Sequence, residues 1–574
     1  MASRAAPRRL PPARLVDRRI RLLLGITIIA FALVVLRAAY LGVVVGGHLD
    51  ALAQGQQRVV VPLPAERGAI LDRAGRSLAR SEPAVTVGAY THLVQEPAVL
   101  AQQLAPILGV DATTLAHRLS DRTHTYVDLV RGVSTTTVAR LERHHIGQGV
   151  LGFIPGDRRV YPQGDIGAQV LGLTGTTGQG LAGAELSLDH LLRATEGQQI
   201  VVRDLDGRLL RVLSDHPGVP GRDVQLTLDR DIQATVERTV AATQARWHAR
   251  WATAVVMDPR TGGILGMASA PGLPAGGYAK GTFGEQRMRT LADQYEPGST
   301  FKAVTIGAAL AEGAVTPTTR FLVPDAIRRY DKTVHDAHTH LPTWWTTSDI
   351  LALSSNVGTI TIAEKRLGAA RFDRWTHRLG FGRLTGVDLP GEAPGAVLPL
   401  NQWSGTSILN IPIGEGIAVT PLQMAGLYAG IADGGVWHEP HVVDRVLGGA
   451  TPHVDTRRAF PAGVDSELVA MLRRVVEVGT GQAARIPGYS VAGKTGTTQK
   501  VDPKTGKYCG QTGKVCQYDS SFVGFVPARH PRLVVLVVVD EPQGGYYGGV
   551  VAVPAFNQIA TDALQTLGVP PDQP

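Results

Sequence analysis

Lysine is scarce in this chain of 574 residues, with nine against 48 arginines, and cysteine is scarcer still, with only Cys509 and Cys516. So few lysines leave roughly 0.5 chance matches to a serine-x-x-lysine pattern, so an occurrence at a helix start has to be weighed. Acidic residues are almost missing from positions 1–21, where seven arginines face one aspartate. The net charge there is 7 − 1 = +6, which leaves 8 − 6 = +2 for all the rest. Excess positive charge confined to a short tail excludes a basic face for nucleic acid. At this length the chain exceeds one domain, and 44% hydrophobic with 18% charged residues is ordinary globular composition.

One apolar run stands out. Leu22 to Leu36 holds fifteen residues without a charge, followed by Arg37 and then Ala38 to Val45. A helix over that span crosses a hydrocarbon core of about 30 Å. Arg37 falls close enough to the far interface to snorkel, or else meets another membrane helix. Arg37-Ala38-Ala39 lacks a small-x-small cleavage pattern, so a retained anchor is expected rather than a signal peptide. The arginine-rich flank is expected in the cytoplasm, with everything after residue 46 outside.

Chemistry concentrates at Glu296-Pro297-Gly298-Ser299-Thr300-Phe301-Lys302, which precedes the apolar run Ala303 to Leu310. Pro297 and Gly298 mark a turn, and a helix is expected from Ser299 onward, with the Ser299 hydroxyl and the Lys302 amine on one face and in reach of each other. A serine hydroxyl is a weak nucleophile until a base takes its proton, and a desolvated lysine can be that base. The bland alternative is a helix cap beside a solvated lysine. Two further motifs argue against it. Ser354-Ser355-Asn356 follows a helix expected over Thr347 to Leu353, and Lys494-Thr495-Gly496-Thr497 follows Tyr489 to Gly493, a segment suited to a strand. A second K-T-G, Lys504-Thr505-Gly506, lies in turn-forming sequence and is expected to be a surface loop.

S-x-x-K, S-x-N and K-T-G in that order, with offsets of 55 and 140 residues, are the motif set of penicillin-binding proteins and serine β-lactamases. The chain resembles the class B penicillin-binding proteins, most closely the cell-division (FtsI-like) transpeptidases, from about residue 22 to residue 563. Arg67-Gly68-Ala69-Ile70-Leu71-Asp72-Arg73-Ala74-Gly75 is similar to the start of that family's pedestal, and Arg159-Val160-Tyr161-Pro162 with Gly180 to Glu185 is similar to its second half. Arg67, Asp72, Arg159 and Glu185 are read as internal ion pairs and turns. Within the catalytic part, Glu415 stands where the family more often has Gln or Tyr.

The resemblance implies a cytoplasmic tail at 1–21, an anchor at 22–46, a pedestal or dimerisation domain at 47–215, a linker at 216–223, a penicillin-binding transpeptidase domain at 224–565 and a tail at 566–574. The fold implied is an α/β (α+β) penicillin-recognising one, an antiparallel sheet covered by helices. Ser299 would attack the penultimate D-alanine of a peptidoglycan stem peptide, with Lys302 as base, Ser354 as proton relay and Asn356 holding Lys302 and the substrate amide. Lys494 would supply positive charge, and the Thr495 and Thr497 hydroxyls around Gly496 would bind the terminal carboxylate. The amides of Ser299 and Thr497 would form the oxyanion hole. No metal or organic cofactor is implied.

The implied partners are stem peptides on lipid-linked precursor strands, β-lactams, the membrane, other division proteins and a SEDS-family membrane glycosyltransferase, since the pedestal leaves no room for a glycosyltransferase domain. Elongation, carboxypeptidase action, lactamase action and a silent penicillin-binding scaffold or sensor are the alternatives. His335, Asp336, His338 and His340 read as a cleft-rim loop, with a metal site the sharper alternative. Outside the cytoplasm Cys509 and Cys516 are expected to close a disulfide, a catalytic cysteine or zinc site being the other reading.

Overall fold

A computed structural model describes residues 13–47, 58–203, 209–274, 277–330, 332–502, 505–508 and 516–573. The N-terminal helix spans Ala13–Tyr40 and runs on as a π turn over Leu41–Val45. It begins earlier than Leu22 because no helix breaker interrupts Ala13 to Arg21. Within Asp17–Val45 an 18-residue window reaches a mean hydropathy of 2.5, and none of that window is buried. At 1.5 Å per residue the helix is long enough to cross a membrane.

The chain divides into two compact units, residues 1–65 with 195–219, and residues 66–194 with 220–574. In the first, Arg58–Leu63, Gly197–Arg203 and Leu209–His216 form an antiparallel sheet with Gly197–Arg203 in the middle. In the second, the 14-residue strand Ser77–Tyr90 pairs with both Tyr126–Ser134 and Leu151–Val160. Short helices cover that sheet, and local chemistry sets their ends. Pro97 opens Pro97–Leu108 and left-handed Gly109 closes it, Asp111 caps Ala112–Leu119 by accepting from Thr114 N at 2.9 Å, and Ser134 caps Thr135–Arg143. Leu104, Leu115, Leu119, Leu129 and Leu141 fill the space between.

Arg67, Arg159 and Glu185 form a buried ion cluster, with Arg67 Nε 2.8 Å and Arg159 Nε 2.7 Å from the two oxygens of Glu185, which is 0% exposed. Asp72 instead closes its own turn, accepting from Ala74 N, Arg76 N and Arg76 Nε. Strands on both sides of residues 216–223 share one sheet: Val224–Leu226 pairs parallel with Ile70–Leu71 and antiparallel with Val443–Val446.

The catalytic part is built on a five-stranded, wholly antiparallel sheet. Its strands are β1 (Trp251–Met257), β2 (Ile264–Ala270), β3 (Ala492–Gln499), β4 (Tyr518–Val526) and β5 (Leu533–Asp540), in the order β2-β1-β5-β4-β3. Every residue of β5 is buried, because both faces of the sheet are covered. Alternate side chains enter two separate cores. Val535, Val537 and Val539 pack with Ile232, Val236, Phe556 and Ile559, from the helices Arg230–Arg246 and Val553–Thr566. Val534, Leu536 and Val538 share the opposite core with Phe301, Val304, Ile306 and Tyr428. The period of two along the strand is what separates them.

Removing Glu185 leaves the buried Arg159 guanidinium without a counter-charge and Arg67 with Asp189 alone. E185A is expected to lose about 3–5 kcal/mol of stability in urea unfolding of the detergent-solubilised protein. E82A, at an exposed ion pair with Arg80 and Arg158, should leave the midpoint in place.

Candidate active site

Ser299 lies in a short 3-10 turn, Gly298–Phe301, and the α-helix proper, α1 (Lys302–Ala311), begins three residues later. The expected α-helix from Ser299 is therefore corrected by one turn, and among the described residues the Ser299 hydroxyl caps neither element. Nine of the ten α1 residues are buried, so it is a core helix. Gly298 sits at φ +55, and a Cβ there would come within 2.0 Å of Thr498 Oγ1. Glycine is needed because the turn lies directly against β3. Gly496, on β3, is needed for the same approach, since a Cβ there would meet Ser521 Oγ at 2.3 Å and Pro297 O at 2.9 Å. The strand begins at Ala492, later than Tyr489, and contains the whole K-T-G motif.

Lys302 is 0% exposed, and its Nζ donates to Ser354 O at 2.5 Å, to Asn356 Oδ1 at 2.7 Å and to Ser354 Oγ at 3.3 Å. Among the described residues it makes no hydrogen bond to Ser299, contrary to the expected direct contact. A buried amine takes the strongest acceptors in reach, and a carbonyl and an amide oxygen outcompete one hydroxyl. Lys494 is equally buried and donates to the same Ser354 Oγ at 2.8 Å and to Thr495 O at 3.1 Å. One hydroxyl thus joins two buried lysines.

Ser354 follows helix α2 (Thr347–Ala352) with φ +60, a left-handed conformation costing a β-carbon-bearing residue of order 1 kcal/mol. That turn points its carbonyl and hydroxyl at the lysines. Ser355 caps helix α3 (Asn356–Ile362), accepting from Gly358 N at 2.8 Å and donating to Asp336 Oδ2 at 2.7 Å. Asp336 also accepts from Val357 N at 2.9 Å and lies 3.1 Å from His340 Nε2, while Asn356 Nδ2 donates to His335 O at 3.0 Å. The segment read as a cleft-rim loop does line the cleft, through His335 and His338, and is also a brace for the S-x-N motif. Its acid–histidine pattern was the available signal, but in sequence that pattern is indistinguishable from a metal site.

Above the lysines lies a cleft of about 760 Å³ lined by Ser299, Ser354, Asn356, Thr495 and Thr497. Thr495 Oγ1 shares a 2.9 Å hydrogen bond with Thr480 Oγ1, and Thr497 Oγ1 accepts from Gly548 N at 3.0 Å. Thr480, also in the cleft wall, was not singled out from sequence, since nothing local marks it. His338, Tyr518, Tyr546 and Tyr547 form an aromatic side. Thr505 and Gly506 of the second K-T-G are exposed between Val501–Asp502 and Lys507–Tyr508, and Lys504 lies outside the described residues. Cys516 is disulfide-bonded, and Cys509, the chain's other cysteine, lies outside the described residues.

Burial pushes the Lys302 amine down to about 7, although the Asp336 and Glu415 carboxylates act the other way. Burial, and secondarily the charge of Lys302, pushes Lys494 well below the ordinary lysine range. Desolvation, the largest effect on the Lys302 amine, makes it a base near neutral pH.

A serine on a turn against a strand edge, with two buried lysines and a second serine beneath it, defines a serine acyl-transfer site. Comparison with known proteins agrees. Residues 252–561 match the penicillin binding protein transpeptidase domain, and residues 62–226 match the penicillin-binding protein dimerisation domain. The chain is 30% identical to the peptidoglycan D,D-transpeptidase FtsI of Escherichia coli over 98% of its length and 94% of that protein, and 33% identical to penicillin-binding protein PbpB of Mycobacterium tuberculosis over 91% and 81%. The crystal structure of penicillin binding protein 3 from Mycobacterium tuberculosis, complexed with aztreonam, superposes with a TM-score of 0.67 at 30% identity, covering 89% of this chain and 98% of that one. The chain belongs to the class B penicillin-binding proteins, the FtsI-like peptidoglycan D,D-transpeptidases.

Acylation by a penicillin needs Lys302 unprotonated, so its rate should fall as pH drops through about 7. The Asp336 charge holds the Lys302 proton on, so D336N should move the Lys302 midpoint to lower pH in stopped-flow acylation. A midpoint moving upward would contradict this assignment.

Proposed function

We propose that this chain is an anchored serine D,D-transpeptidase that cross-links peptidoglycan stem peptides at the division septum. The observation carrying this reading is the Lys302–Ser354–Lys494 array under Ser299. Ser299 Oγ attacks the carbonyl carbon of the penultimate D-alanine while its proton passes to neutral Lys302. The tetrahedral oxyanion lies between the amides of Ser299 and Thr497. As the C–N bond breaks, Ser354 Oγ hands a proton to the leaving amine and takes in its place the one held by Lys302, so terminal D-alanine departs and Lys302 is neutral again. An amine on a neighbouring stem then attacks the acyl-serine, returning the Ser299 hydroxyl and making the cross-link.

Thr495 and Thr497 hydroxyls bind the substrate's carboxylate, which also stabilises a proton on Lys494. Asn356 holds Lys302 and faces the substrate amide. β-Lactams enter as mimics of the D-alanyl terminus. Residues 1–21 stay in the cytoplasm, the helix through Val45 is the anchor, and residues from about 47 onward lie outside, a reading supported by the arginine asymmetry. The pedestal spaces the catalytic domain from the membrane. With the anchor it meets a SEDS-family glycosyltransferase and other division proteins. Cys509 pairs with Cys516 and closes the loop after β3.

Intact-mass analysis with a fluorescent penicillin tests the reading. A stable adduct on the parent, absent from S299A, is expected, and K302A should lower acylation by at least about a hundredfold. A folded parent without an adduct would sink the proposal, and fast turnover of the penicillin would reassign the protein to hydrolysis.

A further inference from the structure

Glu296 stands three residues before Ser299, on the turn that presents it. Its carboxylate accepts from Gly416 N at 2.9 Å and from Tyr508 Oη at 3.0 and 3.2 Å to its two oxygens. Beside it, Gly298 N donates to Gly414 O at 3.0 Å. Gly414, at φ +82, has no space for a side chain, since a Cβ would lie 2.2 Å from Gly298 O. The 414–416 loop is therefore fastened to the nucleophile turn twice, once through backbone and once through Glu296. Tyr508 arrives from the hairpin that follows the K-T-G strand. Glu296 is thus where the S-x-x-K turn, the 414–416 loop and the hairpin after K-T-G meet.

Gly416 N can only donate, and the ionised carboxylate can accept from it and from Tyr508 Oη together, whereas a protonated carboxyl would have to turn its own proton toward Tyr508. Burial opposes ionisation and pushes the group up to about 7, with the Gly416 and Tyr508 donors acting against the shift. The charged neighbours are Glu415 on the same loop and Lys332, whose Nζ lies 3.3 Å from Glu415 Oε2 and 2.5 Å from Asn410 Oδ1. Asp519 on β4 is close enough to be affected by the charge of Glu296. Among the described residues, no direct ion pair satisfies Glu296.

We infer that Glu296 is a positioning residue: its carboxylate, bridging Gly416 and Tyr508, holds the Ser299 turn in its reactive orientation, and protonation releases that hold. The inference rests on the acyl-serine reading above. It adds a second proton to the acid limb of the reaction, distinct from that on Lys302.

The test measures the second-order rate of acylation by benzylpenicillin from pH 5.5 to 9 on the full chain in detergent, with a melting temperature for each variant. The parent is expected to lose rate on the acid side more steeply than one proton allows. E296Q should keep the single limb of Lys302 and lose about tenfold to a hundredfold at its plateau through misplacement of the serine. Y508F removes one donor from the carboxylate, which favours protonation, and should move the outer acid limb to higher pH. Y508F decides the matter if E296Q fails to fold. Profiles of E296Q and Y508F with the parent's shape and midpoints would overturn the inference, as would a loss of rate that only follows a fall in melting temperature. A parent that is never acylated would instead remove the transpeptidase reading itself.

Discussion

Two lysines buried around one serine hydroxyl are the constraint on which the rest of this site depends. In water each amine would be charged, and together they would repel. Removed from water, Lys302 and Lys494 reach Ser354 Oγ at 3.3 and 2.8 Å and move toward their neutral forms. That arrangement needs a left-handed Ser354, which in turn needs Ser355 and Asn356 held by Asp336 and the carbonyl of His335. It also needs β3 close against the nucleophile turn. Gly298 and Gly496 are the positions where a single methyl group would push those elements apart.

Keeping such groups buried takes a rigid frame, because a polar group with a partner displaced costs more than the hydrogen bond was contributing. The frame is the five-stranded sheet, whose central strand β5 divides its valines between two cores. Helix α1 is enclosed on all sides, so the residues at its start are fixed from within the core. Charge is handled differently in the pedestal. There Glu185 bridges Arg67 and Arg159 while Asp189 supplies a second carboxylate to Arg67, and the cluster works as a geometric fastening.

Much of the organisation was readable from short windows of sequence. The apolar run after an arginine-rich tail marks a helix long enough to cross a membrane. Three short motifs in order point to the chemistry, and the turn composition around Lys504 sets the second K-T-G apart as a loop. Each of these signals acts over a few residues along the chain, through hydrophobic period, capping or backbone freedom, and so survives without the fold.

What remained hidden lies between residues far apart in sequence. From spacing alone Lys302 belongs to Ser299, yet its hydrogen bonds go to residues 52 and 54 positions away. Asp336 looks like one member of a histidine cluster until the S-x-N turn is seen resting on it. Residues 216–223 look like a linker, while strands on either side of them pair in one sheet. By itself the sequence determined the long apolar helix, the three motifs, their residue types and the class of chemistry, because those are local properties of the chain. Only the tertiary structure decided which groups share a proton, which are dry enough to give one up, and which segments brace the nucleophile, because desolvation and hydrogen-bond competition exist only once distant segments are packed together.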